Sequence, residues 1–238
     1  MRAGEGQWRA VSALRLVLIA LFVVYACWLT PPFRGEHAYS STLRDNWLFL
    51  TISALTVAVT ALRAVLVRED RLAWGLFGLG SAVWVLGDVW YLFVVQYQDP
   101  EPSPSWSDAG YLLLYPPVWV ALVLLLRRQV KSLPRGVWLD GAVGGLAASA
   151  LASAIVVQPI IDATGGSVAT VATNLAYPAG DLVLLSLVIG IYAMFGWRPS
   201  RTWLLLGGGL LAFGLTDTDY LFQIANNRYV VGTTWDAG

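Results

Sequence analysis

Charge is what this chain has least of. Charged side chains make up 13% of its 238 residues, about half of the ~25% carried by a typical soluble domain. Hydrophobic residues reach 57%, so there is too little polar side chain to cover a water-soluble fold of this size. Cysteine occurs once, at Cys27, which leaves no intrachain disulfide framework and no reading of redox compartment. Histidine also occurs once, at His37, with no metal-ligand spacing around it, so a zinc site has no basis. A site built purely from carboxylates would need an oxygen-preferring ion. No Ser/His/Asp set, phosphate-binding loop or HExxH motif is present, and nothing specifies a reaction or a cofactor. The last apolar run has no lysine for a retinal Schiff base. Asp217-x-Asp219 matches one half of the paired aspartate motifs that hold magnesium in membrane prenyl transferases, and no second acidic motif accompanies it.

What is there instead is apolar sequence in long runs. Candidate membrane spans cover 11–30, 46–67, 72–97, 107–127, 138–161, 169–196 and 202–224, each near the ~20 residues that a helix needs to cross a hydrocarbon core of ~30 Å. The expected fold is therefore an all-α polytopic bundle of seven transmembrane helices, a single integral membrane domain over 1–238. With the N-terminus placed in the cytoplasm, Arg2, Arg9, Arg15, Arg63, Arg68, Arg71, Arg127, Arg128, Lys131, Arg135, Arg198 and Arg201 fall inside. Only Arg34, Arg44 and Arg228 fall outside. This asymmetry orients every helix by the positive-inside rule and puts Gly238 on the external side. Reading residues 1–30 as a cleaved signal would break the alternation, and Tyr25 is bulky where a lipoprotein cleavage box takes small residues.

The chain also repeats itself. Leu86-Gly87-Asp88-Val89-Trp90-Tyr91-Leu92-Phe93 returns as Leu215-Thr216-Asp217-Thr218-Asp219-Tyr220-Leu221-Phe222, and Trp106-Ser107-Asp108-Ala109-Gly110 returns as Trp235-Asp236-Ala237-Gly238 with one residue deleted. A fainter echo sets Asn46-Trp47-Leu48-Phe49 against Asn174-Leu175-Ala176-Tyr177. The unit is four helices, duplicated: repeat one over about 11–127, repeat two over about 138–238. Four is even, so both copies would share one orientation, as parallel repeats do. Trp106–Gly110 leads into the fourth helix, so Trp235–Gly238 is expected to lead into an eighth beyond the last residue, with a cytoplasmic output domain after it. Gly141, Gly145, Ser149 and Ser153 give the fifth helix one small-residue face for close packing, and Gly207-Gly208-Gly209 reads the same way. Tyr115-Pro116-Pro117 and Tyr177-Pro178 place prolines inside two spans. Proline there frees carbonyls and kinks the helix, and matching depth suggests a shared cavity.

Ionisable residues inside a bilayer are costly and serve as functional hypotheses. At 1.5 Å per residue, Asp88 lies roughly 14 Å, Asp217 roughly 12 Å and Asp181 roughly 18 Å from the outer ends of their helices. Trp84, Asp88 and Tyr91 follow i, i+4, i+7 and share one face. Phe213, Asp217 and Tyr220 do the same. With no base at that depth, these carboxyls must be protonated, hydrogen-bonded by Tyr, Trp and Asn, or paired with a cation. One reading is an outward-facing acidic and aromatic pocket of Asp88, Tyr91, Trp84, Tyr115, Tyr177, Asp181, Asp217 and Tyr220. The other is interhelical hydrogen-bond glue below an interfacial tryptophan belt. Asp108 and Asp219 read as solvated helix ends, and Asp140 as a first-turn acid favoured by the helix dipole.

The ordered motifs Trp106-Ser107-Asp108-Ala109-Gly110-Tyr111-Leu112-x-x-Tyr115-Pro116, Trp138-Leu139-Asp140-Gly141, Tyr177-Pro178-Ala179-Gly180-Asp181, Asp217-x-x-Tyr220 and Tyr229-x-x-Gly232 cover about residues 75–238. They resemble the N-terminal membrane region of actinobacterial signalling proteins whose cytoplasmic GGDEF and EAL domains make or degrade cyclic diguanylate. The resemblance implies a sensory input module in a bacterial plasma membrane. The chain itself holds neither a GGDEF nor an EAL signature, so any such activity would belong to a further C-terminal part. Expected partners are the lipid bilayer and a small ligand or ion from the external side, with a homodimer left open and no nucleic acid. The alternative is a small transporter or a stand-alone membrane binding protein.

Overall fold

The computed structural model describes residues 5–28, 42–129, 136, 139, 142–147, 150, 153 and 167–225. Among these there is no strand. The helices are α1 (Glu5–Trp28), α2 (Thr42–Leu66), α3 (Arg71–Phe93), α4 (Trp106–Leu112), α5 (Tyr115–Gln129), α6 (Val168–Met194) and α7 (Arg201–Ala225). Short 3-10 turns at Arg68–Asp70 and Val95–Tyr97 flank α3. Four stretches among the described residues are long and apolar enough to cross a membrane: Trp47–Leu66, Arg68–Tyr97, Trp106–Gln129 and Val168–Met194. Helix suits them, because in lipid each backbone polar group must find its partner within the segment. Ser12–Tyr25 in α1 is a shorter apolar stretch. The loop with Arg34 and His37, most of the expected span 138–161, and Tyr229–Gly238 lie outside the described residues.

The chain divides into two compact units, one built on the described residues up to Leu125 and the other on those from Leu126 onward. In the first, α1 packs on α2, α2 on α3 and α3 on α4. The pattern of α3 explains its place. Ala73, Gly80 and Gly87, seven residues apart, are buried, whereas Leu72, Leu79, Leu86 and Phe93, at the same spacing, are exposed. Seven residues is nearly two helical turns, so α3 carries one small-residue stripe and one large apolar stripe. A surface of exposed leucines would be anomalous in water. It is the surface that a lipid-facing helix needs.

The small stripe receives α4 and the start of α5. A Cβ on Gly80 would come within 2.9 Å of the Leu114 carbonyl oxygen, and one on Gly87 within 2.9 Å of the Ser107 carbonyl oxygen. The expected span 107–127 is broken between α4 and α5 at Leu113–Leu114. Pro116 and Pro117 cannot donate to the carbonyls of Leu112 and Leu113, so the α-helical ladder stops and resumes at Tyr115. By contrast α6 runs unbroken through Pro178, which is fully buried.

In the second unit α6 packs on α7. Gly145, one residue of the expected small-residue face, meets α6: a Cβ there would stand 2.5 Å from the Ser186 carbonyl oxygen, and Ser186 Oγ donates to Gly145 O at 3.0 Å, whereas Gly141 and Ser149 lie outside the described residues. At the start of α7 the Tyr192 ring fills the notch left by Gly207, where a Cβ would stand 2.5 Å from its hydroxyl oxygen. Tyr192 Oη donates to the carbonyls of Trp203 at 3.0 Å and Leu204 at 3.2 Å.

Candidate functional site

The site begins with a contact between two glycines. A Cβ on Gly110 would lie 2.6 Å from Gly87 Cα and 2.9 Å from Gly87 N, so α3 and α4 touch backbone to backbone. The residues that follow, Asp88 and Tyr111, are thereby brought together. Tyr111 Oη donates to Asp88 Oδ1 at 3.1 Å. Asp88 is only 9% exposed, and its Oδ2 is buried with no hydrogen-bond partner among the described residues. A buried carboxyl oxygen left unsatisfied costs on the order of 1–3 kcal/mol, so this atom gains from any donor that reaches it.

The tyrosine that binds this carboxyl is the last rung of a ladder of aromatic rings. Trp84, one turn before Asp88, stands 5.7 Å from the Tyr111 ring at a tilt of 47°. Phe49 on α2 stands 5.9 Å from Trp84, and Tyr25 on α1 stands 6.3 Å from Phe49. These separations are those of favourable edge and tilted pairs, and the ladder links α1, α2, α3 and α4. Tyr91 is half-buried one turn beyond Asp88. Tyr115, buried at the start of α5, stands 5.9 Å from Trp119 at a tilt of 38°.

The short helix α4 is held at its start by its own sequence. Ser105 donates from its backbone N–H at 2.6 Å and from its hydroxyl at 3.0 Å to Asp108 Oδ2, a capping box that fixes the first turn. Asp108 thus sits at a helix end and positions Tyr111 one turn later. The motif Ser105-x-x-Asp108 was the sequence signal for it.

The eight residues expected to form the pocket fall four and four between the two units. Trp84, Asp88, Tyr91 and Tyr115 belong to the first, where Trp84 and Asp88 meet through Tyr111. Tyr177, Asp181, Asp217 and Tyr220 belong to the second. There Asp181 is 1% exposed on α6 and faces α7 at Gly214, where a Cβ would lie 3.7 Å from its Oδ1. Tyr177 precedes Asp181 by one turn and is half-buried. Asp217, half-buried, follows Gly214 by one turn, and Tyr220 is exposed. Asp219 accepts from Gln223 Nε2 at 2.5 Å along α7.

Sequence reasoning did not pair Tyr111 with Asp88. The signal that could have paired them is the glycine preceding each one, in Gly87-Asp88 and Gly110-Tyr111. Chemically, the arrangement offers one carboxyl oxygen already bound by a phenol and one buried oxygen without a hydrogen-bond partner among the described residues. Among the described residues no cluster of three or more His, Cys, Asp or Glu could hold a metal ion. Compared with known proteins, the chain matches no family model, no curated protein and no solved structure.

Proposed function

We propose that the chain is the membrane-embedded sensory input domain of a bacterial signal-transduction protein. In this reading seven helices cross the plasma membrane with the N-terminus in the cytoplasm. A small cationic or hydrogen-bond-donating ligand, or a proton, reaches Asp88 from the external side. The output is cytoplasmic, a cyclic diguanylate module of the GGDEF or EAL kind.

The observation that carries the reading is the buried Oδ2 of Asp88, without a hydrogen-bond partner among the described residues and set beside a backbone-to-backbone contact between α3 and α4. A ligand can shift a helix packing only if it binds two packings with different affinity. Occupying Oδ2 alters the charge and hydrogen bonding of a carboxyl that Tyr111 of α4 already holds, so ligand and α3–α4 packing share one group. The four apolar stretches of membrane-spanning length support the location, and the ordered motifs around Trp106, Tyr177 and Asp217 support the signalling class.

The test uses the purified protein in lipid nanodiscs, with unfolding temperature followed across pH and with sodium, magnesium and tetramethylammonium as probes. The wild type is expected to respond to pH or to at least one cation, and Asp88→Asn with Asp217→Asn to lose that response while remaining folded. Unchanged stability and unchanged responses in the double variant would sink the pocket. A loss of stability with every response intact would make the acids interhelical glue.

One observation favours a second reading. The break between α4 and α5 beside a buried acid is a feature of carriers, whose discontinuous helices bind substrate near the bilayer midplane. Accumulation of a cationic substrate by proteoliposomes, abolished by Asp88→Asn, would select the carrier.

A further inference from the structure

At the other end of α3 lies a second group of unsatisfied atoms that the sensor reading does not use. Arg63 occupies the last turn of α2, and its guanidinium carbon stands 4.5 Å from the centroid of the Trp74 ring in the first turn of α3. The intervening turn is tight: Val67 N–H donates to Arg63 O at 2.9 Å and Asp70 N–H to Val67 O at 3.2 Å. Stacking on an indole holds a guanidinium in place while using none of its five N–H donors. Arg63 Nε and Trp74 Nε1 are both buried, and neither has a hydrogen-bond partner among the described residues.

Two buried donors without a partner among the described residues are therefore carried by side chains stacked on one another, and both call for an acceptor. Asp70 acts on Arg63 as an opposite charge and Arg15 of α1 as a like one, while Arg68 and Arg71 are exposed in and just after the turn. Four arginines and two acids, Glu69 and Asp70, therefore share this end of the unit. A tetrahedral oxyanion, with several acceptor oxygens, suits donors supplied by a neighbouring guanidinium and indole. The level is also right, because the ends of membrane helices lie at the depth of lipid phosphates, where basic pockets between helices bind anionic head groups. Val65 and Leu72, beside the turn, are exposed and apolar, a surface for acyl chains.

We propose that the turn joining α2 to α3 is a phosphate-binding site. In it Arg63 Nε and Trp74 Nε1 donate to the oxygens of an anionic lipid head group or a free phosphate, and Arg15 adds positive charge. The site stands independently of any ligand at Asp88.

The experiment compares retention of phosphatidylglycerol and phosphatidylcholine by native mass spectrometry, alongside unfolding temperature with each lipid and with inorganic phosphate alone. Phosphatidylglycerol is expected to bind about tenfold more tightly than phosphatidylcholine, as for one charge-assisted contact, and Arg63→Gln to abolish the preference. Arg63→Lys keeps the charge but not the fork, and Trp74→Phe keeps the ring but not the donor. Each is expected to lose part of the preference, and these two decide the matter should Arg63→Gln fail to fold. Arg198→Gln, on an exposed arginine of the second unit, serves as the unaffected control. A response to inorganic phosphate that equals the lipid's and depends on Arg63 would support the site and assign it to the free anion. Folded Arg63→Lys and Trp74→Phe proteins with the wild-type preference, or no preference for either phosphate source in the wild type, would overturn it.

Discussion

The contact between α3 and α4 in the first unit and that between α6 and α7 in the second both put a glycine next to an aspartate, and they use it differently. In the first, Gly110 faces Gly87 so closely that a Cβ would meet backbone atoms at 2.6 and 2.9 Å. Asp88 and Tyr111 are partners because of that approach. In the second, Gly214 faces the Asp181 side chain across 3.7 Å, ordinary van der Waals contact. The tight glycine there is Gly207, whose notch is filled by the movable end of Tyr192. A glycine that seats backbone on backbone fixes the geometry of its neighbours, whereas one that accepts a side chain leaves room to repack. That difference points to Asp88, among the buried acids, as the one held in a defined frame.

Substituting the glycines is the sharpest way to break the comparison. Gly110→Ala is expected to destabilise by about 2–3 kcal/mol, since overpacking against backbone has little room to relax. Gly214→Ala should change stability by less than about 0.5 kcal/mol. Reversible unfolding in detergent measures both, and equal losses would erase the distinction. Next in size is Tyr111→Phe, which leaves both Asp88 oxygens without the phenol and is expected to cost about 1–2 kcal/mol. Gln223→Leu, which removes the donor to Asp219 within one helix, should cost only about 0.2–0.5 kcal/mol. Gly207→Ala is expected to cost about 1 kcal/mol or less, well below Gly110→Ala, because a side chain can yield where backbone cannot. In a Tyr192→Leu background the same change should be close to neutral, giving a coupling of about 0.5 kcal/mol or more in a double-mutant cycle.

Asp88 could be read from the sequence because an acid in an apolar run stands out by chemistry alone. The break before Tyr115 was equally legible, since two adjacent prolines remove two donors from the helix ladder whatever surrounds them. Pro178 carries the same local signal, yet α6 continues through it, because a single missing donor is an interruption that packing can absorb. Tyr111 was out of reach as a partner. It lies 23 residues from Asp88, and the pairing depends on the approach of Gly87 to Gly110, which nothing distinguishes from the other glycines among 23 until α3 shows its seven-residue stripe. Arg63 was legible only as a topology marker, because its stacking on Trp74 is created by the turn at Arg68–Asp70.

Access to Asp88 from outside tests the central claim most directly. In a Cys27→Ser background, which removes the exposed native cysteine, Asp88→Cys is treated on intact cells with a small membrane-impermeant cationic thiol reagent. Labelling from the external side is the expected result. A cysteine that reacts only after the cells are opened, or not at all in protein that unfolds at the wild-type temperature, would contradict an outward-facing site.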